Sequence, residues 1–347
     1  MRRAASLLSA CALALSLSLA ACATESPAAA GLKDAVTVDY RPIPLSLSDP
    51  HETRVGEFIW RGGLQLTSPD ARFGGWSGLI VSADGQRMLS QSDEAHWLRA
   101  DLVYGKNGDL VGISHAQLAD MLDDNGHTMN KEHGDAEGLD ALTPSGPDGA
   151  VAVSFERDVR SWSYDLSRSL DLRPMPIPLP DGVHVLDGSN QGLEGLALLK
   201  PHALLAVSEA PHDRKGEMDA WLVPYDGKAP GVSYGALSII RHPPYEISDA
   251  AMGPERKYLY LLERHYFGPI GGIVIAVRRI PAAEVKAGAR LGGEEIARFT
   301  MHENIDNMEG LALRRGADGK TYLYMISDDN YNHAFQRTLL MMFELNQ

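Results

Sequence analysis

A chain of 347 residues with a formal net charge of −14 is not drawn to nucleic acid or to an anionic bilayer by its average field. Its two cysteines, Cys11 and Cys22, both lie near the N-terminus, so the rest of the chain can form neither an internal disulfide nor a thiolate metal site. Stability must come from a hydrophobic core, and about 310 residues are enough to bury a large one, in one closed domain or in two.

Arg2 and Arg3 precede an apolar stretch over 7–21 that ends in small residues, the pattern of a secretory signal too short to span a bilayer comfortably. The segment Leu19-Ala20-Ala21-Cys22 resembles the lipobox of bacterial lipoproteins, in which the cysteine becomes the lipidated first residue. An ordinary signal peptide cut nearby is the alternative. The resemblance implies a leader over 1–21, a lipidated Cys22 with a tether over 22–34, and an exported domain over 35–347. Such a domain is held at the bacterial cell envelope, facing the periplasm or the cell surface, and meets the membrane only through its anchor.

One short phrase then recurs along the chain: an acidic or hydroxyl residue, a small residue, and usually an apolar run. It is Gly75-Trp76-Ser77-Gly78-Leu79, then Asp135-Ala136-Glu137-Gly138-Leu139, then Gly192-Leu193-Glu194-Gly195-Leu196. It continues as Ile247-Ser248-Asp249-Ala250-Ala251 and Asp306-Asn307-Met308-Glu309-Gly310-Leu311. The steps between Ser77, Glu137, Glu194, Asp249 and Glu309 are 60, 57, 55 and 60 residues, which predicts a repeat architecture.

Each repeat divides into short apolar runs separated by Pro, Gly, Asp and Lys. The third has runs over 195–199, 203–208, 220–225 and 233–241, which reads as four strands with turns. Radially repeated four-stranded units are the blades of a β-propeller, so the fold class is all-β. The fifth repeat stops one strand short, and the run over 56–66 upstream of the first repeat can supply the missing strand, closing the ring with both ends of the chain. The count is five blades, or six if residues 35–47 add another partial sheet. One short helix is expected over 115–123.

In a propeller the first strand of each blade lines the axial channel, and the second returns toward the same mouth. The second-strand ends are again polar: Ser92-Asp93-Glu94, Ser154-Phe155-Glu156-Arg157, Ser208-Glu209, Leu262-Glu263-Arg264 and Ser327-Asp328-Asp329-Asn330. Two series of carboxylates therefore converge on one face, where they repel one another unless cations compensate. Oxygen ligands without cysteine point to a hard divalent cation, Ca²⁺ first and Mg²⁺ or Mn²⁺ behind it.

The same motifs, with Gly192-Leu193-Glu194-Gly195-Leu196-Ala197 and Asp306-Asn307-Met308-Glu309-Gly310-Leu311-Ala312 among them, resemble the phytase-like domain family described by esterase-like activity, over residues 56–345. The resemblance implies an exported β-propeller whose recurring Glu and Asp residues carry phosphoester hydrolysis. The mechanism that fits is metal-assisted attack of water on a small-molecule ester or phosphoester by a monomer. Metal ligation is assigned to Glu137, Glu194, Glu309 and Asp328, proton transfer or ligation to Glu209 and Glu263, and phosphate binding to Arg157 and Arg264. Lys131, His133 and His265 lie close to these motifs and could assist. Two departures stand out: Ser77 replaces Glu in the first repeat, and Asp249-Ala250-Ala251 replaces Glu-Gly-Leu in the fourth.

Other chemistries fit less well. Gly74-Gly75-Trp76-Ser77-Gly78 lacks the spacing of a nucleophile elbow, and Asp123-Asp124-Asn125-Gly126 does not complete a calcium loop. A lactonase or carboxylesterase with one divalent ion is the competing enzyme. A non-catalytic propeller is the competing binder, in which the glutamates accept backbone N–H bonds and lock blade to blade.

Overall fold

The structure, a computed structural model, describes residues 24–25, 32–188, 191–211, 216–227 and 231–346. The expected leader and Cys22 lie outside the described residues.

Five antiparallel sheets are built from consecutive runs of chain. Blade 1 has strands Trp76–Val81, Arg87–Ser92, His96–Tyr104 and Leu110–Asp120, and blade 2 has Ala136–Ala141, Ala150–Phe155, Arg160–Asp165 and Met175–Ile177. Blade 3 has Leu193–Lys200, Ala203–Ser208, Glu217–Val223 and Gly235–Ile240; blade 4 has Glu246–Met252, Tyr258–Tyr266, Ile273–Pro281 and Glu294–Phe299. Blade 5 takes Asn307–Arg315, Thr321–Asp328 and Thr338–Leu345 from the C-terminal end, and its fourth strand is Phe58–Thr67 from the N-terminal side. Closure by both ends of the chain is therefore as expected.

The sixth blade left open by the sequence does not form. Asp39–Pro42 pairs with the outer edge of Phe58–Thr67, and Ala35 bridges to Gln117 of blade 1, so the segment covers the seam between the last and first blades. The helix expected over 115–123 is also not there: Leu110–Asp120 is the outer strand of blade 1. A register shift between Arg99 and Asp101, opposite His115 at φ 51°, spaces Ile113 and Ala116 three residues apart. That bulge imitates a helical period in the sequence.

The core is five apolar layers, one between each pair of neighbouring blades. Trp76 is fully buried between blades 5 and 1 with Phe73, Leu98 and Tyr324, and Trp162 lies between blades 1 and 2 with Trp97, Phe155 and Tyr164. Leu196 and Trp221 pack between blades 2 and 3, Leu205 and Ile247 between 3 and 4, and Phe58, Phe299 and Phe343 between 4 and 5. Burial of apolar surface between sheets is thus the main glue, at roughly 25 cal/mol per Å².

The five innermost strands touch one another in a closed ring, blade 1 to 2 to 3 to 4 to 5 and back. That contact explains the small residue of the repeated phrase. A Cβ on Gly310 would lie 2.8 Å from the Gly78 carbonyl carbon and 2.5 Å from Ile326 Cγ2, and one on Gly138 would lie 2.8 Å from the Glu194 carbonyl oxygen. Gly310→Ala is accordingly expected to destabilise the fold by about 1–3 kcal/mol through overpacking at the axis. A lower urea midpoint with unchanged m-value checks this, and an unchanged midpoint contradicts it.

Candidate active site

Every innermost strand carries one extra residue relative to its neighbour. The register slips between Trp76 and Gly78, opposite Val153 to Phe155 in blade 2, between Leu193 and Gly195, between Ile247 and Asp249, and between Met308 and Gly310. The bulged residues are therefore Ser77, Glu137, Glu194, Ser248 and Glu309. A bulge re-aims its side chain without ending the strand, and it turns the three glutamates among them toward one channel mouth, while Ser77 and Ser248 donate to the backbone carbonyls of Gly75 and Met308.

Register also aligns the second strands. The residue before each bulge pairs with Ser92, Phe155, Ser208, Glu263 and Ser327 in turn. Side chains alternate faces along a strand, so the residue one further on faces the mouth in every blade: Asp93, Glu156, Glu209, Arg264 and Asp328. These five, with Lys131, Asp135, Glu137, Arg157, Glu194, Glu309 and Asn330, line a cavity of about 240 Å³. Eight carboxylates face three cationic side chains there.

Two readings of the sequence are corrected by this register. The blade 4 counterpart of the repeated glutamate is Ser248, one residue before Asp249. Asp249 points into the ring, where it accepts backbone N–H bonds from Ala250 at 2.7 Å and from Leu311 of blade 5 at 2.6 Å. Glu263 likewise does not reach the cavity. Its fully buried carboxylate meets Arg278 Nη2 at 2.6 Å and His242 Nδ1 at 3.3 Å, on the other face of its strand.

The remaining expected residues are brought together: Glu137, Glu194, Glu209, Glu309, Asp328, Arg157 and Arg264 all line the cavity. Lys131 does too, whereas His265 stacks edge-on against Phe267 and His133 is not among the lining residues. Asp93, Asp135 and Glu156 are lining residues that the sequence assignment passed over. The first and third stand in the quoted second-strand ends, and aligning those ends by register rather than by their acidic letters finds them.

Polar contacts divide the ring unevenly. Arg264 stands where four other blades carry a carboxylate, and its Nη2 lies 3.3 Å from Glu209 and 3.2 Å from Glu309 while Nη1 donates to Asn307 at 3.0 Å. Lys131 bonds Asp93 and, at 3.0 Å, Asp135, whose second oxygen accepts from Arg157 Nε at 2.6 Å. Asp328 accepts the Asn330 N–H at 2.6 Å. By contrast Glu137 and Glu194, 9 % and 6 % exposed, receive no donor on their carboxylates among the described residues.

Burial pushes the carboxyl groups of Glu137, Glu194 and Asp328 well above their usual range, and neighbouring carboxylates add to it. Burial raises Asp93 to about 6 against the pull of Lys131, and Glu209 to about 7 against that of Arg264. Without added cations the site therefore holds protons at neutrality, or repels itself.

These features define a five-bladed propeller with an acidic axial mouth. The model for the phytase-like family, described as esterase-like activity of phytase, matches residues 71–331, and the chain belongs to that family. No curated protein matches the sequence. Among solved structures the chain is similar to U3-55K, at 9% identity and TM-score 0.37 over 78% of this chain and 95% of that one. It is similar to the RRP9 WD40 repeats at 9% identity and TM-score 0.38, over 84% and 100%, and to a mitotic checkpoint complex chain at 11% and 0.38, over 100% and 99%. At that distance they say nothing of function.

A carboxyl with a raised folded pKa binds protons that the unfolded chain has released, so its contribution to stability is lost as pH rises. For Glu209 the window runs from the ordinary 4.5 to about 7, and its share is on the order of 3 kcal/mol. Metal-free protein is expected to melt at progressively lower temperature across that window, with the slope reduced by calcium. A melting temperature that rises with pH there would contradict the electrostatic account.

Proposed function

We propose that this protein is a metal-dependent phosphoester hydrolase, with Ca²⁺ the preferred ion and Mg²⁺ or Mn²⁺ as substitutes, acting at the acidic mouth of the propeller. The observation that carries the reading is the pair of donor-free carboxylates, Glu137 and Glu194, buried beyond nine-tenths. Blade-to-blade locking by backbone N–H groups is performed by other residues. Asp249 holds Leu311, and Asp140 accepts the Leu198 N–H at 2.6 Å. Glu156 shares in that locking through the Gly192 N–H, which leaves Glu137 and Glu194 as the spare acceptors of the mouth, and an oxygen-only donor set suits a hard cation.

Glu137, Glu156, Glu194 and Glu209 are the residues that would hold such an ion, with Glu309 and Asp328 across the ring. When bound, it supplies charge neutralisation and Lewis acidity toward a phosphoryl oxygen. Among the described residues Arg157 uses only Nε, on Asp135, which leaves its terminal nitrogens for a phosphate. Lys131 offers a second cation beside it. Glu209 lines the same cavity and is the residue that would take a proton from water. Arg157 and Arg264 both line the cavity, which favours a phosphoester over a lactone or carboxylic ester. The reading includes export and tethering to the bacterial envelope through a lipidated Cys22, with the propeller working as a monomer on a small molecule.

Calcium-loaded protein is expected to hydrolyse p-nitrophenyl phosphate or its diester, and to lose activity in a chelator. Glu209→Gln is expected to lower kcat about 100-fold, and Arg157→Gln to raise KM about tenfold through the lost charge-assisted bond. Steady-state kinetics on both esters and on a lactone decide it. Hydrolysis that survives Glu194→Gln and Glu209→Gln undiminished removes this mouth as the active site.

A further inference from the structure

The two donor-free carboxylates do not belong to one cluster. Asp135, Glu137 and Glu156 each bring an oxygen within 4.8 Å of the others, and Glu156, Glu194 and Glu209 do the same. Glu137 occurs only in the first triad and Glu194 only in the second, so each triad has one carboxylate that no donor among the described residues reaches. Glu156 is common to both. It is 5 % exposed, and one of its oxygens receives the Gly192 N–H at 3.2 Å.

Charge counting separates one ion from two. Eight carboxylates against three resident cations leave the cavity with an excess of five negative charges when all are ionised. A single divalent ion leaves three; two leave one. The resident cations touch each triad at one outer member only: Lys131 and Arg157 hold Asp135, with Lys131 also on Asp93, and Arg264 sits between Glu209 and Glu309. Ser77 and Ser248 replace the bulge glutamate in blades 1 and 4, so neither blade can build a third triad of this kind.

The geometry points to a two-cation centre on the blade 2 and blade 3 side of the mouth, with Glu156 as the shared ligand, Asp135 and Glu137 completing one position, and Glu194 and Glu209 completing the other. This rests on the reading that the mouth binds divalent ions, and adds their number and their ligands. A phosphoryl group, whose terminal oxygens can engage two ions at once, is the substrate class that such a pair grips.

The test is the stoichiometry of Ca²⁺ itself on metal-free full-length protein, by equilibrium dialysis with elemental analysis. Wild type is expected to hold two equivalents, Glu137→Gln and Glu194→Gln one each, and Glu156→Gln neither with better than about tenfold weakened affinity. Loaded with Mn²⁺, the wild type is expected to give an exchange-coupled EPR spectrum, and either single-site variant an uncoupled one. Far-UV circular dichroism melts establish that each variant is folded. Should Glu156→Gln not fold, the wild-type count and the two other variants still decide. One equivalent in the wild type, abolished by Glu137→Gln and Glu194→Gln alike, overturns the pair and leaves a single-metal site standing. Two equivalents retained in both variants also overturn it, and no binding at all removes the metal reading with it.

Discussion

One extra residue in the innermost strand of each blade governs most of what this protein presents to solvent. A regular strand would send alternate side chains to its two faces, both covered here by neighbouring blades. The slip before Gly78, Gly138, Gly195 and Gly310 breaks that alternation at one height in the ring. The small residue that follows lets the adjacent inner strand come to van der Waals contact, and where the bulged residue is a glutamate it is turned out of the packed ring and into the mouth. Close packing at the axis and display of carboxylates are therefore one feature with two consequences.

The apolar layers between blades are what make the display possible. A set of buried carboxylates has no favourable local energy: desolvation and mutual repulsion both oppose it. Such a site persists because the rest of the fold over-determines it, and the fully buried aromatic and aliphatic side chains of five interblade layers do so. Some of the repulsion is answered inside the protein by Arg264, Arg157 and Lys131. What remains falls on Glu137 and Glu194, the two without donors. Their lack of donors is the observation on which the proposed cation binding rests.

The repeat, its five-fold count and the closure by both chain ends could be read from the sequence, because glycine at the axis and punctuation between strands leave marks at fixed spacing. The positions of particular side chains were less legible. Asp249 and Glu263 look like members of the two acidic series, yet each is one residue out of register and faces elsewhere. A bulge shifts the frame by one, and in the fourth repeat the acidic letters fall on the wrong side of it. Arg264 takes the place of a carboxylate in the second series, and Ser248 matches Ser77 of the first repeat rather than the glutamates, so acidic letters alone set the fourth repeat in the wrong frame. The outer strand of blade 1 was misread as a helix for the same reason, a bulge at His115 that spoils the period of two.

Those fourth-blade replacements give the mouth a direction. Five equivalent carboxylates would make a symmetric collar, in which an ion or an anion has no preferred seat. With Arg264 between Glu209 and Glu309, and Lys131 beside Asp93 and Asp135, positive charge is fixed on the arc from blade 4 through blade 5 to blade 1, and free negative charge is left on blades 2 and 3. Arg157, half exposed at the rim, stands where the two arcs meet. For the anionic ester proposed as substrate, unpaired carboxylates would lie on one side and fixed cations on the other, which would set its orientation. A departure from the repeat that looks like drift in the sequence is, in three dimensions, what converts a ring of charges into a site with a defined front and back.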